Sequence, residues 1–196
     1  ISFAEKNNLI IALNEHILRK VFQKISEDQL EIPISVNISA QQLEDGFHLV
    51  ELLESLMAEF SISTKQIELE ITENMLVVDT EHNIAVLTAI HELGFQIAID
   101  DFGTGFSSFN YVHRLPIQKI KIDRSFITGI PTNLNNVKIV KAVIALSHSL
   151  DKKIVAEGAE LKEEVEYLKQ ENCDIVQGFY YYKPMSFAKL KAILAG

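Results

Sequence analysis

Along the chain, short runs of apolar and β-branched residues alternate with longer stretches whose apolar positions recur at helical spacing. The short runs, 32–37, 67–72, 95–100, 117–122, 153–156 and 174–176, each read as a strand. Helical periodicity fills 48–60, 80–92, 109–114, 135–150, 161–171 and 186–194, and a longer helix over 2–25 comes first. Strand followed by helix, repeated, predicts a parallel α/β sheet with right-handed crossovers. No internal repeat, low-complexity tract or linker interrupts the pattern, so 1–196 reads as a single domain.

Each strand closes on a polar group. Asn37 ends the first and Glu70 lies near the end of the second. Asp100 and Asp101 end the third, Lys121 and Asp123 flank the end of the fourth, and Glu157 and Gln177 close the fifth and sixth. In a (β/α)8 barrel the strand C-termini converge on one rim, where catalytic residues sit. Six consecutive strands delivering such groups to one rim is more than packing requires. The adjacent pair Asp100-Asp101, running into Phe102-Gly103-Thr104-Gly105, is poor structural material, because like charges side by side disfavour a fold unless something positive lies between them.

The donor set suits hard cations. Glu70, Asp100, Asp101, Asp123 and Glu157 offer carboxylate oxygens, and Asn37 and Gln177 offer amide oxygens. Such ligands favour Mg²⁺ or Mn²⁺ over zinc, and several carboxylates on one rim suit a pair of ions that clamps a phosphodiester and its attacking water. Lys121 is a lone cation among them, either orienting that water and steadying phosphate charge or serving as a counter-ion to Asp123.

The motifs resemble the EAL domain, the family of bacterial cyclic-di-GMP phosphodiesterases. The resemblance rests on Ser35-Val36-Asn37-Ile38-Ser39, Glu68-Leu69-Glu70-Ile71-Thr72-Glu73, Ala98-Ile99-Asp100-Asp101-Phe102-Gly103-Thr104-Gly105, Ile120-Lys121-Ile122-Asp123-Arg124-Ser125-Phe126, Val155-Ala156-Glu157-Gly158-Ala159-Glu160 and Cys173-Asp174-Ile175-Val176-Gln177-Gly178-Phe179, in order along nearly the whole chain. It implies a TIM-like (β/α)8 barrel that linearises cyclic-di-GMP with a two-ion Mg²⁺ or Mn²⁺ site. By motif position it implies that Asn37, Glu70 and Asp100 are metal ligands, Asp100 bridging, with Asp101, Asp123 and Glu157 on the side of the second ion. Lys121, Glu157 and Asp101 become the catalytic groups and Gln177 a polar neighbour of the site. Glu73 corresponds to a glutamate that steadies the loop after Asp101, a loop linked to dimer contacts. Phe106, Ala159 and Lys183 replace the family's usual tyrosine, valine and arginine without removing a ligand.

One departure is larger. The triplet Glu-Ala-Leu that names the family does not occur in the chain. Six strands are visible where a closed barrel has eight, so the family's opening two strands, which carry a metal-binding glutamate and a substrate-contacting arginine, are expected to be absent from this chain. The run 32–37 then becomes an open edge, filled by a swapped segment, covered by a partner, or left beside a gap. An alternative reading follows: a cyclic-di-GMP receptor, or a dimerisation module, without chemistry.

Composition narrows the classes further. A chain of 196 residues is long enough to bury a sizeable core. With 18 Lys plus Arg against 27 Asp plus Glu, the formal charge is −9. This argues against a DNA or RNA polymer as partner and makes metal ions necessary to bring in an anionic ligand. No apolar run approaches a membrane span, and a single cysteine, Cys173, excludes an intrachain disulfide and points to the cytoplasm. The six histidines lack ligand spacing. The charged stretch 160–171 reads as a solvated helix face, Asn133 or Asn135 as a helix cap, and the aromatics 179–182 either as pocket lining or as packing against the first helix. Regulatory domains are expected outside these residues, and a homodimer is expected by analogy with the family.

Overall fold

The computed structural model describes residues 9–76, 80–105 and 109–194. Its centre is a parallel six-stranded sheet in sequential order, β1 (Ile34–Asn37), β2 (Ile67–Thr72), β3 (Gln96–Phe102), β4 (Lys119–Ile122), β5 (Lys153–Glu157) and β6 (Ile175–Gln177). The helices are α1 (Ile10–Asp28), α2 (Ala40–Glu44), α3 (Gly46–Phe60), α4 (Thr80–Glu92), α5 (Phe109–Arg114), α6 (Arg124–Ile127), α7 (Leu134–Ser149), α8 (Lys162–Gln170) and α9 (Phe187–Leu194). The sheet curls, since one lysine on β4 reaches carboxylates on β2, β3 and β5.

Alternation along the strands divides the chemistry between two faces. Leu69 and Ile71, Ile97 and Ile99, Ile120 and Ile122, and Ile154 and Ala156 face the helices and are buried in one core. That core is completed by Leu18, Phe22 and Ile25 of α1, Leu53 and Leu56 of α3, Leu87 and Ile90 of α4, Val140 and Ile144 of α7, and Val165 and Leu168 of α8. Glu68 and Glu70, Asp100, Lys119 and Lys121, and Glu157 hold the opposite phase on the concave side.

The boundaries differ from the sequence reading where side chains replace ladder groups. β1 begins at Ile34, after Pro33, which has no N–H to contribute. β4 begins at Lys119, and just before it Gln118 Oε1 accepts from Ile97 N at 2.8 Å while Gln118 N donates to Ile97 O at 3.0 Å. α1 runs to Asp28, while residues 1–8 lie outside the described set, as does Phe106. Phe179, Tyr180, Tyr181 and Tyr182 are exposed. It is α9 that reaches α1, through an ion pair of Lys191 Nζ with Asp28 Oδ1 at 2.6 Å and the Lys24 ammonium over the Phe187 ring at 4.7 Å. Asn133 caps α7, accepting from Asn135 N and Asn136 N. Beside β1, a groove of about 500 Å³ is lined by Ile10, Leu13, Ile17 and Val21 of α1 together with Val36 and Met75. Among the described residues β1 pairs with β2 alone, so its other edge faces this groove. No helix of the described residues is long and apolar enough to cross a membrane.

The stretch 160–171 is not a wholly solvated face. Glu164 is buried because its carboxylate accepts from three backbone amides: Gly129 N at 3.1 Å, Glu160 N at 2.9 Å and Leu161 N at 3.0 Å. Leu161 occupies the cap position and has no side-chain acceptor, so Glu164 reaches back to supply one. The carboxylate thereby ties the chain leaving β4 to the chain leaving β5, both of which frame the rim. Glu164→Ala is expected to lower the unfolding free energy by about 2–4 kcal/mol, since it strands several amides. Urea denaturation measures this. A loss below about 0.5 kcal/mol, the range of an ordinary surface change, would return Glu164 to the solvated face.

Candidate functional site

Lys121 lies at the centre of the concave side and is 4% exposed. Its Nζ is 2.8 Å from Glu70 Oε1, 3.1 Å from Asp100 Oδ1 and 2.7 Å from Glu157 Oε1. Strands β2, β3 and β5 each deliver one carboxylate to a lysine from β4, so the ion cluster exists only in the curled sheet. Burial works against the ammonium, but Glu157 and Glu70 outweigh it and hold the Lys121 pKa above the ordinary lysine value. Burial pushes the Glu157 carboxyl up to about 7, with Lys121 restraining the rise and the Asp100 charge adding to it. Lys121 is therefore not a counter-ion to Asp123; its partners are the other three acids.

Adjacent residues of a regular strand point to opposite faces, so Asp100 and Asp101 should diverge. They do not, because β3 breaks its register with β4 between Ile99 and Phe102, and Asp101 takes a left-handed φ of +53°. A non-glycine residue there costs about 1–2 kcal/mol, although Asp tolerates it better than most. The result is that one oxygen from each of Asp100, Asp101 and Glu157 lies within 4.8 Å of the others, close enough to share a cation. Desolvation raises the Asp101 pKa, with Asp100 and then Asp123 adding to it. Carboxylates crowded in this way bind a hard divalent cation readily, and the set holds oxygen donors alone.

The remaining residues surround this centre. Asn37 ends β1 in register with Glu70, and Gln177 ends β6 in register with Glu157. Asp123 lies at the same rim, but its Oδ1 accepts from Ser125 N at 3.0 Å and caps α6. Glu73, 2% exposed, lies beneath the loop after Asp101, where its Oε2 accepts from Gly103 N at 2.7 Å and Gly105 N at 3.3 Å. The two glycines make that approach possible. Gly103 has φ +98°, and a Cβ there would lie 2.9 Å from the Phe126 ring; at Gly105 it would lie 2.6 Å from Asn74 Oδ1. Three features escape sequence reading: the bulge that re-aims Asp101, the Phe126 ring over Gly103, and a second ion pair deeper in the sheet between Glu68 and Lys119. Only the Glu-x-Glu and Lys-x-Lys spacing of 68/70 and 119/121 hints at the last.

The Glu157 pKa fixes the sign of a pH dependence. A carboxyl raised in the fold from 4.5 to about 7 favours folding when protonated. Its contribution is full below the unfolded value and is lost as pH rises through the folded one. In metal-free protein the unfolding midpoint of wild type relative to Glu157→Gln should therefore fall as pH rises from about 4.5 to about 7. Added Mn²⁺ should oppose that fall, since the cation takes the proton's place. Parallel pH profiles for the two proteins would contradict the raised pKa.

The family profile described as EAL domain matches residues 1–184. The chain is 34% identical over 198 residues to the cyclic di-GMP phosphodiesterase NbdA of Pseudomonas aeruginosa, covering 99% of this chain and 25% of that protein. It is 34% identical to the probable cyclic di-GMP phosphodiesterase PdeG of Escherichia coli, covering 99% of this chain and 39% of that protein. Among solved structures, the PaMucR phosphodiesterase in its c-di-GMP complex superposes with a TM-score of 0.92 at 34% identity, over 96% of this chain and 84% of that one. The chain thus spans well under half the length of these two curated relatives. With the profile matching nearly all of it and the sheet superposing on a solved domain, the chain belongs to the EAL domain family, with that family's TIM-like α/β fold.

Proposed function

We propose that this domain hydrolyses cyclic-di-GMP to the linear dinucleotide with divalent cations, Mg²⁺ or Mn²⁺. The observation that carries this reading is the concave cluster of Asp100, Asp101 and Glu157, whose oxygens converge without enough positive charge beside them. The relatives named as cyclic di-GMP phosphodiesterases, and the related structure in complex with c-di-GMP, support the choice of substrate. Asn37, Glu70, Asp100, Asp101, Asp123 and Glu157 are assigned to hold a pair of ions. Ions held there supply Lewis acidity, which offsets phosphate charge and makes water acidic enough to ionise near neutral pH.

The chain's own groups do the rest. Glu157, held 2.7 Å from Lys121, is assigned both to the ion site and to accepting a proton from the attacking water. Lys121, kept protonated and fixed by three carboxylate contacts, places its positive charge beside the attacking water and steadies the developing charge. Glu73 holds the loop after Asp101 in place through Gly103 and Gly105. Gln177, at the end of β6, is a polar neighbour for substrate. The domain, 1–196, is read as most of a (β/α)8 barrel, with two further strands completing it beside β1. The same reading carries a cytoplasmic homodimer with regulatory domains elsewhere in the protein.

The whole protein incubated with cyclic-di-GMP and Mn²⁺ should yield linear dinucleotide, resolved by chromatography. Asp100→Ala should lower turnover by roughly 10³-fold or more, as loss of a principal charge-stabilising group does, while the fold persists. Near-normal turnover by that variant would remove Asp100 from the ion site. Ligand binding without product would make the domain a receptor.

A further inference from the structure

Below the Lys121 cluster lies a second ion pair that the proposed chemistry does not use. Lys119 Nζ is 2.5 Å from Glu68 Oε2, an ion pair without an aligned hydrogen bond, and Glu68 Oε1 accepts from Ser35 Oγ at 3.1 Å. Glu68 is 5% exposed. The two rungs, Glu68 with Lys119 and Glu70 with Lys121, run from β2 to β4 across β3. They meet because the β3 residue between them on the concave face is Ala98, whose methyl leaves the space open.

The register creates a competition. Ala98 is aligned with Glu70 on one side and with Lys119 on the other. Straight across β3, then, the natural partner of Lys119 is Glu70, two strand spacings or about 10 Å away at the backbone, within reach of the two extended side chains. The observed pairing is diagonal instead, each lysine taking the glutamate one step lower. Glu68 holds Lys119 down, and Glu70 is left to Lys121 and the rim.

We propose that Glu68 is a positioning residue that keeps Lys119 off Glu70, so that Glu70 stays aimed at the cation site. This rests on the reading of Glu70 as a metal ligand. Without the Glu68 charge, a half-buried ammonium would be left uncompensated, and the nearest carboxylate in register is Glu70. A lysine seated there opposes a divalent cation by like charge and withdraws a donor oxygen from it.

The test pairs Glu68→Gln with Lys119→Met in the whole protein. Glutamine retains the acceptor for Ser35 and the shape, but not the charge. Mn²⁺ affinity, measured by electron paramagnetic resonance on the protein without substrate, should fall by roughly tenfold or more in Glu68→Gln, as for other supports of a metal ligand. Lys119→Met should leave affinity within about twofold of wild type, because no competing cation remains. The double variant should recover toward wild type. A crystal structure of metal-free Glu68→Gln should place Lys119 Nζ against Glu70, which is a readout that needs no metal. Lys119 turned away from Glu70 there, with Glu70 still on Lys121, would overturn the proposal. So would equal Mn²⁺ affinity in wild type and Glu68→Gln, or a double variant as weak as the single. Wild type that binds no Mn²⁺, with Lys119 nevertheless on Glu70 in the variant, would instead sink the metal assignment and leave the positioning role standing.

Discussion

The buried ammonium of Lys121 and the three carboxylates around it are the constraint that shapes the concave half of this fold. At the observed separations each contact is worth roughly 5–6 kcal/mol of attraction at an effective dielectric of about 20, against desolvation of several kcal/mol for each ion. One contact would not offset the burial of Lys121; several together can. The balance in charge is different from the balance in energy. With Glu70, Asp100 and Glu157 ionised, one ammonium leaves two negative charges uncompensated, and Asp101 adds a third. Burial raises Glu157 and Asp101 above ordinary carboxyl values, and the neighbouring negative charge adds to the rise. A divalent cation offsets two of those three charges, which is why the donor chemistry and the electrostatics lead to the same ligand class.

Much of this was legible in the sequence because it follows from period. Alternation of Glu68-Leu69-Glu70-Ile71 and Lys119-Ile120-Lys121-Ile122 separates a polar face from an apolar one, and the apolar half forms the core with the helices. β2, α4 and α5 begin and end where periodicity places them. The convergence of Glu70, Asp100, Lys121 and Glu157 was readable from their strand-end positions. Which acids take Lys121 was not, because that depends on the curl of the sheet: Asp123, nearest in sequence, engages one oxygen in a capping bond from Ser125 N instead.

The unreadable features share a cause. A register break, a left-handed Asp and a side chain that reaches back to cap a loop are set by tertiary contacts rather than by local preference. Glu164 shows this well: within a run of charged residues its composition suggests solvent, yet three unpaired amides from two loops draw it inside. Gln118 is a second case, a polar residue acting as a ladder group for β3. Both are polar residues held in place by the backbone groups that need them, Glu164 buried and Gln118 partly so, and nothing in their own neighbours along the chain announces it.

Strain and support are arranged in opposition at the rim. Asp101 sits in an unfavourable backbone region and beside like charge, so by itself it would relax outward. The chain just after it is prevented from following, because Gly103 and Gly105 are held by the buried Glu73 carboxylate and Gly103 is covered by Phe126. Removing any one of these supports frees a loop whose first residue is already strained. The stability of the lower sheet therefore does not extend unaided to the site: the apolar core fixes the strands, while two glycines, one glutamate and one aromatic ring fix where Asp101 points. In such an arrangement the rim can lose its geometry long before the fold loses its core, and activity is expected to be the more fragile of the two properties.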